Sequence, residues 1–193
     1  LHHKIKVILD QLTEEELIEA CIDGSQRACK ELYEQNKGWL YAVCLRYHKN
    51  EVDAQDSLQE SFITIYRNLH SFRAQGSFKG WMRKVTVRCI LASFRKNNRR
   101  PFSDLDGMNS EPADLSLIQS MEKDEILFLL ERLPSGRKQI FVAHAIDGFT
   151  HKEIAEMLGI TEGTSKSQFF HARRELKEAI EKDSVIAKKY EHE

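Results

Sequence analysis

Apolar residues recur at three- and four-residue spacing along most of the chain, the period of helices that bury one stripe. No segment alternates apolar and polar residues convincingly enough to predict a strand. Thr13, followed by Glu14, Glu15 and Glu16, predicts a helix start, with Glu16 placed to complete a capping box. This first helix is short and stops near Gly24. Ser25 opens a longer one with an inner stripe of Ala28, Leu32, Trp39, Leu40, Val43, Cys44 and Tyr47. A third covers residues 51–69 and buries Ala54, Leu58, Phe62, Ile65, Tyr66 and Leu69. Gly76 and Gly80 punctuate a turn, and Phe78, Trp81, Met82, Val85, Cys89 and Leu91 or Ala92 give a fourth helix its inward face.

The period then breaks. Between 98 and 120 lie Pro101, Gly107, Pro112 and several Ser, Asp and Asn residues, with few large apolar side chains, as in a linker. Helical spacing resumes near Met121 with Ile126, Leu129, Leu130 and Leu133, and stops before Pro134. A further helix takes Ile140, Phe141, Ala143, His144 and Ile146 and ends at Gly148. The tail from about Asp183 has little to bury and is expected to fray. The predicted fold is all-α: two small helical domains over 10–97 and 121–182, joined by a polar linker over 98–120.

Residues 149–177 carry the spacing of a helix-turn-helix, which the second domain therefore contains. Ile154, Ala155 and Leu158 face inward, Ala155 leaves room for the second helix, Gly159 makes the turn and Ile160 plugs the corner. Thr161 caps the next helix, with Thr164 at its third position, and Phe169, Ala172 and Leu176 continue the buried stripe. Thr164, Lys166, Ser167, Gln168, His171 and Arg174 are expected to point outward toward a DNA groove, with Arg173 nearer the flank. Ser165 falls on the buried stripe, where its hydroxyl is expected to bond to its own backbone. Such spacing also occurs in helical hairpins that only pack.

Net charge is -1, so bulk charge does not announce nucleic acid, yet the charges are segregated. Residues 73–100 hold nine Lys or Arg and no acid, whereas residues 1–72 hold eight basic and twelve acidic residues. A basic face beside an acidic one suits a protein that meets DNA with one and a protein partner with the other; a solvated charge run is the plainer alternative. Phe72, Phe78, Trp81 and Phe94 interleave with the basic residues, and exposed aromatics beside positive charge suit stacking on unpaired bases. The glycine-containing loop 73–77 offers room for an extruded base, although Phe78 and Trp81 also suit a core. Cys21, Cys29, Cys44 and Cys89 form no CxxC pair and read as buried free thiols, and no metal or cofactor spacing is present. With no signal-peptide pattern and no apolar run near the roughly 18 residues of a membrane helix, the expected location is the cytoplasm.

Three segments in order resemble those of extracytoplasmic-function sigma factors, the smallest type in the bacterial sigma-70 family. DAQDSLQESFITIYRNLHSF (53–72) resembles the region-2 helix that docks on the clamp of RNA polymerase, through Asp56, Gln59, Glu60 and Phe62. FKGWMRKVTVRCILASFRK (78–96) is similar to the helix that melts and reads the -10 element. EIAEMLGITEGTSKSQFFHARREL (153–176) resembles the region-4 motif that reads the -35 element. Arg95 and Lys96 match the family, whereas Arg88 stands where Asn is common, Ala92 where Asp is frequent, Ser165 where an apolar residue is usual, and Gln168 and His171 where arginines are common.

The resemblance implies a promoter-specificity subunit with no chemistry of its own. It assigns polymerase contact to Asp53, Asp56, Gln59, Glu60 and Phe62, and -10 contact to Phe72, Arg73, Lys79, Arg83, Lys84, Arg88, Arg95 and Lys96. Thr164, Lys166, Ser167, Gln168, His171, Arg173 and Arg174 are the implied -35 contacts. Core RNA polymerase, through its clamp and flap, and promoter DNA, duplex at -35 and melted at -10, are the implied partners, together with an anti-sigma factor. Two other readings stay open: a regulator that binds duplex DNA without polymerase, and a scaffold that binds an anti-sigma factor but has lost its DNA function.

Overall fold

In the computed structural model, residues 12–97 and 128–190 are described, the side chains of residue 97 and of 183–190 excepted. All regular structure among them is helical. The predicted linker 98–120 and the inward positions Met121 and Ile126 lie outside the described residues. Packing divides the chain into two compact units, one running to Ile90 and the other from Leu91.

In the first unit, Thr13 starts α1 (Glu14–Ile22) with a complete capping box: its hydroxyl accepts from the Glu16 amide, and the Glu16 carboxylate accepts from the Thr13 amide at 2.8 Å. The Thr13 backbone and side-chain bonds hold the exposed Glu16 carboxyl below its ordinary pKa. Ser25 caps α2 (Gln26–Tyr47) by accepting from the Ala28 amide at 3.3 Å. Asn50 caps α3 (Glu51–Asn68) by accepting from the Asp53 amide at 2.8 Å. A single 3₁₀ turn, Leu69–Ser71, ends α3.

The core of this unit follows the predicted stripes. Leu17, Leu32, Leu40, Cys44, Ala54, Phe62, Ile65 and Leu69 are all buried where α1 packs on α2 and α2 on α3. The Tyr66 hydroxyl donates to the Cys29 carbonyl at 2.7 Å and ties α3 to the start of α2. On α4 (Phe78–Asn97), whose last residues from Leu91 on count with the second unit, Phe78, Met82, Val87, Ile90 and Leu91 are buried, Val85 is half-buried, and Ala92 is exposed, so Leu91 is the inward residue of the two. Burial pushes the thiols of Cys21 and Cys44 up to about 12, as it must when a thiolate would lose water.

In the second unit, a helical segment at 128–131 is followed by α5 (Ser135–Phe141), α6 (His151–Leu158) and the long α7 (Glu162–Tyr190). The predicted helix through Ile146 is not a plain α-helix: after Phe141 it widens into a π turn, Val142–Ile146. The Asp147 amide reaches back five residues to the Val142 carbonyl, and Ile146 is left exposed rather than buried. α7 continues to Tyr190, past the point where fraying was expected. α5 and α6 both pack on α7 around Ile140, Phe141, Ile154, Leu158, Ala172 and Leu176. Lys138, almost fully buried, meets this cost through an ion pair with Glu131 at 2.5 Å.

Candidate nucleic-acid and polymerase interfaces

On α3, the polar side chains expected at the polymerase stand outward: Asp53, Asp56, Gln59 and Glu60 are all exposed. Asp53 also closes the helix start, its carboxylate accepting from the Asn50 side-chain amide at 2.8 Å. Phe62 needs correction. It is 3% exposed and packs its ring 4.7 Å from that of Tyr33 and 5.9 Å from that of Tyr66, so it supports this helix from beneath and has no face to offer a partner. Val52 and Ile63, which the sequence pattern did not single out, are 68% and 50% exposed. Helical spacing puts them at either end of the face that bears Asp56, Gln59 and Glu60. An exposed face with apolar ends and an acidic middle is suited to docking, in which charge orients the encounter and apolar area supplies affinity.

The second surface forms where α4 begins. Ser77 caps it, accepting from the Gly80 amide at 3.1 Å, and a Cβ on Gly80 would stand 2.9 Å from that hydroxyl. The preceding loop is held in a tight path, with φ of 53° at Ala74 and 126° at Gly76. Phe72, Phe78 and Trp81 form an aromatic cluster with centroids 5.1 to 5.7 Å apart, and Phe78 and Trp81 stack at 13°. Phe78 is buried at its base, while Phe72 and Trp81 are half-buried and line a cavity of about 350 Å³ together with Arg73, Gly76, Gly80 and Lys84. Trp81 is therefore both core and cavity wall.

Arg73, Lys79, Arg83, Lys84, Arg88, Arg95 and Lys96 are all exposed. At 100° per residue, Lys84, Arg88 and Arg95 follow one another on the side of α4 that carries Trp81, whereas Lys79 and Arg83 lie on another side. A rail of positive charge leading from an aromatic-walled cavity is an arrangement that tracks a nucleic-acid backbone and stacks a base.

The third surface is α7, entered from α6 through Gly159, whose left-handed φ of 69° makes the turn. Thr150 and Glu153 form a second capping box at the start of α6. Thr161 caps α7 as expected, accepting from the Thr164 amide at 3.0 Å. Thr164 itself is a correction: it is buried, its hydroxyl 2.8 Å from that of Thr161, and it serves the cap instead of facing a groove. Gln168 is a second correction. It is 5% exposed and accepts from Arg137 Nε at 3.1 Å, while Arg137 also pairs with Glu175, so it braces α7 against α5. Ser165 is buried as predicted, but its hydroxyl bonds to Nδ1 of His151 across the turn, not to its own backbone.

The outward face of α7 that remains is Lys166, Ser167, Phe170, His171 and Arg174, with Arg173 at the flank over the ring of Phe169 at 5.6 Å. Phe170 was not singled out from the sequence, which placed only its neighbour Phe169 on the buried stripe; the structure sends Phe169 inward against Phe141 and leaves Phe170 half-exposed, edge-on to His171. The signal was available in the 3.6-residue period, which sets Phe170 directly between Lys166 and Arg174. Lys166 pairs with Glu162 at 2.6 Å and Arg174 with Glu178 at 3.8 Å, surface pairs weak enough to yield to phosphate. Burial, with Arg137 and Arg174 next, lowers the His171 pKa, and Glu175 acts in the opposite sense.

An all-helical fold with a basic helix-turn-helix in one unit and a basic, aromatic-walled cavity in the other defines a DNA-binding protein of the transcription machinery. The family described as sigma-70 region 2 matches residues 32–100, and that described as sigma-70, region 4, matches residues 123–176. The chain is 29% identical over 185 residues to an ECF RNA polymerase sigma-E factor of Salmonella typhimurium, covering 89% of this chain and 96% of that protein. It is 28% identical, with the same coverage, to the sigma-E factor of Escherichia coli. A solved sigma factor RpoE from Bartonella quintana, in complex with the anti-sigma factor NepR, is similar with a TM-score of 0.49 and 20% identity, over 79% of this chain and 96% of that one. The chain belongs to the sigma-70 family, within its extracytoplasmic-function group.

Proposed function

We infer that this protein is a promoter-specificity subunit of bacterial RNA polymerase: it binds the core enzyme, reads two promoter elements and performs no catalysis. The observation that carries the reading is the aromatic-walled cavity beside the Lys84, Arg88 and Arg95 rail, on the same chain as a helix-turn-helix with a basic outer face. A regulator that binds only duplex DNA has no use for the cavity. Pockets of roughly 300–1,000 Å³ accept drug-sized ligands, so about 350 Å³ accommodates a nucleobase swung out of a melted strand. Phe72 and Trp81 would stack on it while Arg73 and Lys84 hold adjacent phosphates.

In this reading residues 10–97 serve core binding and the -10 element, 98–120 are the connection, and 121–182 serve the -35 element. Asp56, Gln59 and Glu60, flanked by Val52 and Ile63, form the surface for the polymerase clamp. Lys166, Arg173 and Arg174 meet phosphates or guanine edges of the -35 duplex, and Phe170 meets thymine methyl groups. An anti-sigma factor is the inhibitor that membership of this family leads us to expect. No helix among the described residues is long and apolar enough to cross a membrane. Work beside polymerase would place the protein in the cytoplasm. Adding the purified chain to core polymerase and promoter fragments tests the reading. A ternary complex that opens DNA is expected; full-affinity duplex binding with no polymerase dependence would overturn it.

A further inference from the structure

We propose that His151 is the positioning residue of the DNA-reading helix, seating α7 through the buried hydroxyl of Ser165. This rests on the reading of α7 as the -35 reader. Ser165 is fully buried in the first turn of α7, and its Oγ lies 3.0 Å from Nδ1 of His151 at the first position of α6. The bond spans the turn of the helix-turn-helix. An apolar side chain at this place would give contact without direction, whereas a hydroxyl bonded to an imidazole fixes distance and angle.

The imidazole is itself held. Its ring stacks on that of His144 at 4.0 Å and meets the edge of Phe169 at 5.4 Å. His144 Nδ1 lies 2.7 Å from the Phe149 carbonyl, which can only accept, so that nitrogen carries the proton. The π turn supplies this anchor by presenting His144 toward α6. The chain of contacts thus runs from the Phe149 carbonyl through His144 and His151 to Ser165, the residue next to Lys166 on the outer face.

The groups that face His151 are His144 from the π turn and Lys166 and Glu162 from α7. Burial first, then His144 and Lys166, lower its pKa to about 4, with Glu162 acting in the opposite sense. The folded value lies below the ordinary 6.5, so the seated arrangement favours the neutral ring. Its contribution is complete above about pH 6.5 and is lost as pH falls toward 4. Protonation makes Nδ1 an obligatory donor and places a cation against the His144 ring and Lys166.

The test uses the full chain assembled with core polymerase and a fluorescent duplex selected from a random pool by that wild-type complex near neutral pH. His151→Leu and Ser165→Val should each weaken binding about tenfold, because each leaves the other side chain's polar atom unpaired at the turn, the fully buried Ser165 hydroxyl in the first case and the half-buried His151 ring in the second. The double substitution, which replaces the bond by apolar contact, should recover to within about threefold of wild type. It should also lose the part of the wild type's unfolding stability that disappears between about pH 6.5 and pH 4. His151→Asn, which keeps a hydrogen-bonding group near the Nδ1 position, should retain binding without that pH dependence, and it replaces His151→Leu if the latter does not fold. Additive losses in the double variant, or an unchanged pH profile in it or in His151→Asn, overturn the inference. Failure of the wild type to select any duplex overturns instead the -35 reading on which it rests.

Discussion

At the scale of single residues, burial separates side chains that resemble one another in sequence. Phe62 and Phe170 each sit in a charged helix, yet one is sealed against Tyr33 and the other stands between Lys166 and Arg174. Phe62→Ala should lower unfolding stability by roughly 3–5 kcal/mol in denaturant titration, the cost of emptying a core position. Phe170→Ala should leave stability within about 0.5 kcal/mol, as for surface changes, while weakening -35 duplex binding. Arg137→Ala should cost about 1.5–3 kcal/mol, since it breaks charged hydrogen bonds to Gln168 and Glu175 and leaves a buried amide oxygen unpaired. What the sequence hid at this scale was partnership. Thr164 and Gln168 look like outward polar residues of a recognition helix, and only the positions of Thr161 and Arg137 reveal that both are turned inward; Ser165 was legible as buried, but its partner His151 was not.

At the scale of elements, starts and stops were legible because they are local chemistry. Thr13 with Glu16, Ser25, Thr161 and Gly159 each declare a boundary within a few residues, and the structure uses every one of them. The Thr150–Glu153 box is the same signal, overlooked beside the stronger pattern that follows it. Thr150→Ala should cost about 1 kcal/mol in thermal unfolding by removing that cap from α6. The π turn after α5 was not legible: an apolar run through Ile146 carries the same spacing whether or not one residue is inserted, and the choice is made by tertiary contacts such as His144 with Phe149 and His151. On α3, Asp56→Lys with Glu60→Lys should sharply reduce co-elution with core polymerase and leave the melting temperature unchanged, because both side chains are exposed.

At the scale of the whole molecule, net charge is a poor guide and its distribution a good one. The basic run of α4 is offset by acids spread over the rest of the chain in the total of -1, yet that run and the acids of α3 mark two surfaces with different partners. The order of those surfaces, followed by a helix-turn-helix, is what makes the family legible in the amino-acid sequence itself. The cavity was only partly legible: Gly76 and Gly80 announce close backbone approach, but that Trp81 forms its wall follows from the Phe72–Phe78–Trp81 packing. The central claim, promoter opening directed by this chain, is tested most directly by run-off transcription from a randomised promoter pool with core polymerase. We predict enrichment of templates sharing two separated elements, abolished by Trp81→Ala combined with Lys84→Glu and requiring the added chain. Transcripts no different from those of core polymerase alone would contradict it.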